Sequence, residues 1–94
     1  MAVKKKFNSF QELLANANVP VLVDFYAPWC GPCQMMASIL EQVNQEMKSR
    51  LQIVKINTDN YPTLARGHRI QVLPTLVLFK NAQPVERLEG VVQA

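Results

Sequence analysis

Two cysteines, Cys30 and Cys33, flank Gly31 and Pro32 in the run Trp29-Cys30-Gly31-Pro32-Cys33. The run follows an apolar segment that reads as a strand and precedes apolar residues at helical spacing, so the pair falls at the start of a helix. A Cys-x-x-Cys pair can close into a small disulfide ring and reopen. A thiolate at a helix start is favoured by unpaired N–H groups and by the positive end of the helix dipole. A structural staple is the competing reading, but cross-linking so short a loop removes little unfolded-chain entropy. The spacing therefore suits thiol–disulfide exchange better than stapling. A metal site fits poorly, because a closed zinc site takes four ligands and the chain offers two cysteines and one distant histidine, His68.

Asp24 is the other residue whose position invites chemistry, being an acid inside the apolar run Val21-Leu22-Val23-Asp24-Phe25-Tyr26. An exposed strand end, or a carboxylate bonded to backbone, would explain it without any chemistry. His68 is expected as a surface or satisfied histidine with no catalytic duty. The four methionines, Met35, Met36 and Met47 among them, read as core filling.

These groups have to be positioned by a small frame. The chain has 94 residues, 49% of them hydrophobic and 18% charged, which fills one core and predicts a single domain over 1–94. Ser9 followed by Glu12 resembles a capping box, and Phe10, Leu13 and Leu14 give a short first helix its apolar face. Residues 19–26 are almost continuously apolar and rich in branched side chains, which predicts a central, parallel strand covered on both faces. Beyond Cys33, Met36, Ile39, Leu40, Val43 and Met47 recur at helical intervals and predict the longest helix. Residues 51–56 predict a second strand, joined to the first by a right-handed crossover. Asn60-Tyr61-Pro62 opens a brief helix through about Arg66 that Gly67 can end. Residues 75–80 and 85–88 read as a closing hairpin. Ala82 is a poor residue for a two-residue hairpin turn, so a slightly longer loop is expected there.

The formal charge of +3 owes much to Lys4-Lys5-Lys6, and no aromatic residues interleave with a basic stripe as a nucleic-acid platform would require. The lysines run straight into Phe7-Asn8-Ser9, so no signal peptide is expected, and no run approaches the ~20 apolar residues of a membrane span. Two cysteines with none left over argue against a secreted disulfide scaffold. A soluble, cytoplasmic protein that uses its thiols chemically is the expectation.

Four runs together resemble the thioredoxin family over essentially the whole chain. They are Val21-Leu22-Val23-Asp24-Phe25-Tyr26-Ala27, Trp29-Cys30-Gly31-Pro32-Cys33-Gln34-Met35, Val54-Lys55-Ile56-Asn57, and Leu73-Pro74-Thr75-Leu76 with Leu78-Phe79-Lys80. Phe25-Tyr26 and the ending Arg87-Leu88-Glu89-Gly90 further resemble the y-type thioredoxins of cyanobacteria and plastids. The resemblance implies an α/β fold, a mixed sheet flanked by helices, and a protein disulfide reductase with no bound cofactor other than the redox-active disulfide Cys30-Cys33. In that scheme Cys30, the more exposed, attacks a substrate disulfide, and Cys33, more buried, resolves the mixed disulfide. Asp24, desolvated beside the dithiol with Lys55 near it, accepts the proton of Cys33. Leu73-Pro74 is implied to be cis, although cis accounts for only ~5% of such bonds in folded proteins. Substrate is implied to lie against Val72, Leu73 and Pro74, with Pro28, Trp29, Gly31, Pro32, Gly90 and Val91 around it; Trp29 reads as core if that is wrong. The implied partners are disulfide-containing proteins and a flavin or ferredoxin-dependent thioredoxin reductase.

Two departures from the family pattern carry expectations of their own. Ser38 stands where the family carries a helix-kinking proline, which predicts a straighter helix with its backbone bond to Gln34 restored. The chain ends at Ala94, without residues for the family's final amphipathic helix. That predicts a bared sheet face covered by displaced elements or by self-association. It also keeps open a noncatalytic interaction module as the alternative function.

Overall fold

The computed structural model describes residues 10–91. Its backbone is helical over 10–16 (α1), then forms β1 (Val21–Tyr26), α2 (Gly31–Met47), a single 3-10 turn (Lys48–Arg50), β2 (Gln52–Asn57), α3 (Pro62–Gly67), β3 (Thr75–Lys80) and β4 (Gln83–Glu89). Ser9 of the expected capping box, and the lysine triplet, lie outside the described residues.

The four strands order as β2-β1-β3-β4. β1 is central, as its unbroken apolar run requires, but it is parallel only to β2, with Asp24 opposite Lys55. Toward β3 it is antiparallel, because β3 opens a hairpin whose register sets Asp24 opposite Leu76. Alternation along the strands then sorts two faces. Val21, Val23 and Phe25 point to one side and close a core with Ile56, Val77 and Phe79, capped by Phe10 and Leu14 of α1 and Leu64 of α3. Leu22 and Leu76 point to the other side, where Met36 and Leu40 of α2 cover them. Helical backbone runs unbroken through Ser38.

His68 is drawn in from the surface, and among the described residues its ring makes no hydrogen bond. It is half-buried among Phe10, Phe25 and Phe79, with ring centroids 5.6 to 6.0 Å away. Burial, and then the positive charge of Arg87, hold its imidazole below the ordinary range. The chain leaves α3 by a different residue from the one expected. Gly67 is still helical, and the left-handed position falls on Arg69, at φ 55°. The Arg69 N–H donates to Arg66 O and the Ile70 N–H to Ala65 O, both at 3.0 Å, which is the closure of a Schellman ending.

The hairpin loop is shorter than expected. β3 ends at Lys80 and β4 starts at Gln83, so only Asn81 and Ala82 turn the chain, with φ of 54° and 63°. Left-handed residues give such a turn the twist of its strands, and that tertiary demand overrides the poor local preference of alanine. Ala82 also packs against the core beneath.

Among the described residues the elements keep the expected order. Leu76 is already buried under α2, while Leu78 and Val91 are half-buried and Leu88 is 38% exposed.

Relieving the left-handed alanine outweighs the unfolded-state entropy that glycine adds. Ala82→Gly is expected to raise unfolding stability by about 0.5 kcal/mol, read from the urea midpoint at unchanged m-value; a midpoint moving downward would show that the methyl packing matters more.

Candidate active site

The two-sided burial of β1 fixes where its C-terminal end emerges. Ala27 follows in the core, and the Cys30 N–H donates to Ala27 O at 3.2 Å, so the chain reverses over Pro28 and Trp29. Cys30 is thereby delivered to the N-cap of α2 in extended geometry, with Gly31 and Pro32 in the first turn. Pro32 fits there because first-turn N–H groups have no intrahelical acceptor. The Cys30 Sγ accepts the backbone N–H of Cys33 at 3.1 Å.

Cys30 and Cys33 are joined by a disulfide, their Cα atoms 5.2 Å apart. The expected difference in exposure is not found: Cys30 is 5% exposed and Cys33 4%. With the ring closed, each sulfur helps to cover the other, and Ala27, Tyr26 and Leu73 pack around both. What distinguishes the two cysteines is position on the helix. Only Cys30 stands at the cap, where its sulfur receives an N–H that would equally stabilise a thiolate.

The surroundings divide into those that meet solvent and those that do not. Trp29 is 70% exposed and stands outside the core, its indole N–H donating to Asp59 Oδ2 at 3.0 Å. Asp59 is in turn fixed by its own N–H to Asn57 Oδ1 at 2.9 Å. Pro28, Gly31 and Pro32 are exposed, as is Val72. Leu73 reaches the disulfide cluster, and the Leu73-Pro74 bond is cis. Thr75, fully buried, donates its hydroxyl to Val72 O. Gly90, at φ 88°, donates its N–H to Pro74 O at 2.8 Å. Val91 packs with Met36, Leu40 and Leu76, so its contacts lie with the core behind the site rather than with Trp29.

Asp24 is fully buried on the α2 side of β1, and neither carboxyl oxygen has a hydrogen-bond partner among the described residues. The bland readings of the sequence, an exposed strand end or a backbone-bonded carboxylate, are both excluded. Burial raises its pKa from 3.8 to about 6, against the opposing pull of the Lys55 charge on the neighbouring strand. Lys55 itself is exposed, its ammonium 5.1 Å from the centroid of the Tyr26 ring.

A family model described as Thioredoxin matches residues 1–94. The chain belongs to the thioredoxin family. It is 64% identical over 94 residues to the thioredoxin-like protein slr0233 of Synechocystis sp., covering all of this chain and 90% of that one. It is 50% identical over 93 residues to the chloroplastic thioredoxin Y1 of Arabidopsis thaliana, covering 99% of this chain and 54% of that one, so it spans about half the length of that relative. Among solved structures, chloroplastic thioredoxin z superposes with a TM-score of 0.84 at 40% identity, over 92% of this chain and 78% of that one. The y-type resemblance of the sequence agrees with the second of these, a thioredoxin Y. In this thioredoxin-family chain the bonded Cys30-Cys33 pair is a thiol–disulfide exchange centre. Asp59 and Arg87, which hold Trp29 and the chain after α3, were not singled out by their sequence context.

An acid whose native pKa lies above its unfolded value binds its proton more tightly when folded, so the chain loses stability as pH rises from about 4 through 6. From 3.8 to about 6 the loss is about 3 kcal/mol, fully developed at pH 7 to 8. Asp24→Asn is expected to remove that pH dependence and to be the more stable protein at pH 8. Urea unfolding of both at pH 4.5 and pH 8 tests this; parallel pH profiles would show that Asp24 does not titrate as described.

Proposed function

We propose that the chain is a protein-disulfide reductase, and the observation that carries this reading is the Cys30 sulfur at the N-cap of α2 receiving the Cys33 N–H. In the reduced state that N–H favours the Cys30 thiolate, which attacks one sulfur of a substrate disulfide. A Cys30-substrate disulfide forms, and the first substrate thiolate leaves. Cys33, one helical turn in, then attacks the Cys30 sulfur. The Cys30-Cys33 bond forms, the bond to substrate breaks, and the second substrate thiolate leaves. Two electrons pass from the dithiol to the substrate.

The proton of Cys33 has to go somewhere in this second step, and Asp24 is the acceptor we assign. A carboxyl group with a pKa of about 6 is ionised at neutral pH yet basic enough to take a thiol proton as the thiolate forms. Lys55, beside it in register, keeps the carboxylate from being wholly uncompensated. Substrate chain is assigned to the strip formed by Val72, Leu73 and Pro74, with Trp29, Pro28, Gly31 and Pro32 as its exposed rim and Gly90 and Val91 supporting it from behind. The oxidised centre is returned to the dithiol by two electrons and two protons from a thioredoxin reductase, flavin or ferredoxin-dependent. Both cysteines are spent on each other in the bonded state, which weighs against a metal-module reading. We place the work in the cytoplasm, where a single exchange dithiol can be kept reduced; among the described residues no helix is long and apolar enough to cross a membrane. Self-association through the face carrying Leu78 and Leu88 is a separate proposal, answered by sedimentation at micromolar concentration; a stable monomer removes it.

Insulin reduction by dithiothreitol tests the main reading. Cys30→Ser is expected to abolish acceleration, and Cys33→Ser to accumulate a covalent mixed disulfide visible by mass spectrometry. Full activity in Cys30→Ser would assign the nucleophile elsewhere.

In single-turnover experiments Asp24→Asn is expected to leave the first attack unchanged and slow the resolving step by about a hundredfold at pH 7, the low side of what a general base contributes. Equal rates for both steps in the two proteins would remove Asp24 from the chemistry.

A further inference from the structure

The connection from α3 to β3 carries Val72 and Leu73 to the disulfide, and the end of β4 grips it at two points. At one, the Gly90 N–H donates to Pro74 O at 2.8 Å. At the other, three residues earlier on β4, the Arg87 guanidinium donates to His68 O at 2.7 Å and to Arg69 O at 2.6 Å. The same guanidinium is held from behind by Glu89 Oε2 at 3.1 Å. These are solvent-exposed contacts, and what gives them weight is their geometry, a planar fork that meets two successive carbonyls.

The carbonyls it meets are the ones that the helix ending leaves over. His68 follows the last helical residue, and Arg69 takes the left-handed position usually filled by glycine. The N–H groups of His68, Arg69 and Ile70 close the ending onto the Leu64, Ala65 and Arg66 oxygens, and the His68 and Arg69 oxygens are met by Arg87. A loosened Arg69 would release the next residues, since Ile70 is the last of them anchored in the core before Val72 reaches solvent.

We infer that Arg87 is a positioning residue for substrate binding: by clamping His68 O and Arg69 O it fixes the loop 70–74 against the dithiol, without touching substrate or sulfur itself. The inference rests on the reductase reading. It predicts that removing the clamp weakens capture of an extended protein substrate and leaves the sulfur chemistry intact. A small disulfide, which needs no loop to align it, is reduced as before.

Arg87→Met and Arg87→Lys are compared with the unaltered chain in three measurements. With insulin as the varied substrate, Arg87→Met is expected to raise KM by about three- to tenfold, as loss of one or two anchoring hydrogen bonds would, with kcat within about twofold. Reduction of bis(hydroxyethyl) disulfide is expected to stay within about twofold. Backbone 15N order parameters at Gln71, Val72 and Leu73 are expected to fall from about 0.85 toward 0.6, with those of α2 unchanged. Arg87→Lys should recover only part of either effect, because one ammonium cannot span both carbonyls. Unchanged KM and unchanged loop order in a folded Arg87→Met would overturn the inference. A general loss, with the small disulfide and α2 affected alike, would equally overturn it in favour of a merely structural role. Should Arg87→Met fail to fold, Glu89→Gln, which frees the guanidinium from its rear contact, is read by the same criteria with a smaller KM rise expected. Should the unaltered chain not reduce insulin at all, the reductase reading fails by itself, and the order parameters alone decide whether Arg87 holds the loop.

Discussion

Burial of β1 on both faces is the constraint from which the site follows, because a strand that can be exposed on neither side leaves no freedom in where its end emerges. Val23, Asp24 and Phe25 are completely enclosed, with β2 on one flank and β3 on the other. Ala27 extends that enclosure by one more residue, and the turn over Pro28 and Trp29 then has a single way to present Cys30 to α2. α2 in turn is held by Met36 and Leu40, whose packing on Leu76 seats the helix against the same sheet. The sulfur pair is therefore positioned chiefly by apolar burial and the backbone of a helix start, while the polar bonds of Trp29 and Thr75 hold the segments beside it.

The same burial creates a group that works against the fold. Among the described residues Asp24 has no bonded partner for either oxygen, and an apolar residue of similar size would be easier to enclose. Its position beside Lys55 softens the penalty without removing it, since desolvation still dominates. A carboxyl group kept at such a disadvantage holds its proton more tightly than a surface one, and that affinity is what the resolving step proposed above would draw on.

Much of this was legible in the chain itself. The continuous apolar run of β1, the helical recurrence of Met36, Leu40 and Val43, and the placement of Cys30 at the junction are local patterns, and local patterns survive into the fold. The cis bond at Leu73-Pro74 was readable only through family resemblance, because nothing in the flanking residues distinguishes it from a trans bond. The parallel partner of β1 was legible in the strand–helix–strand pattern, whereas its antiparallel one was implied only through the family resemblance, as part of a mixed sheet. Arg69 and Ala82 adopt left-handed geometry against their own preference, and what compels them, the exit from α3 and the twist of β3 on β4, lies outside a local window. The bonds from Trp29 to Asp59 and from Arg87 to His68 and Arg69 span 30, 19 and 18 positions and leave no periodic trace. The near-equal burial of Cys30 and Cys33 reflects the closed ring, a state that composition and spacing do not specify.

β4 is one of the two edge strands of the described sheet and is exposed along its whole length. A free ladder of this kind invites a second molecule to add a strand, yet this one is poorly suited to it. Pro84 has no N–H to offer, the pairing slips between Leu78 and Phe79, and Glu86, Arg87 and Glu89 place charges of both signs along the outer half. The strand whose Arg87 grips the chain after α3 is thus also a poor template for aggregation, which keeps an open sheet edge near an exchange centre from recruiting a further strand.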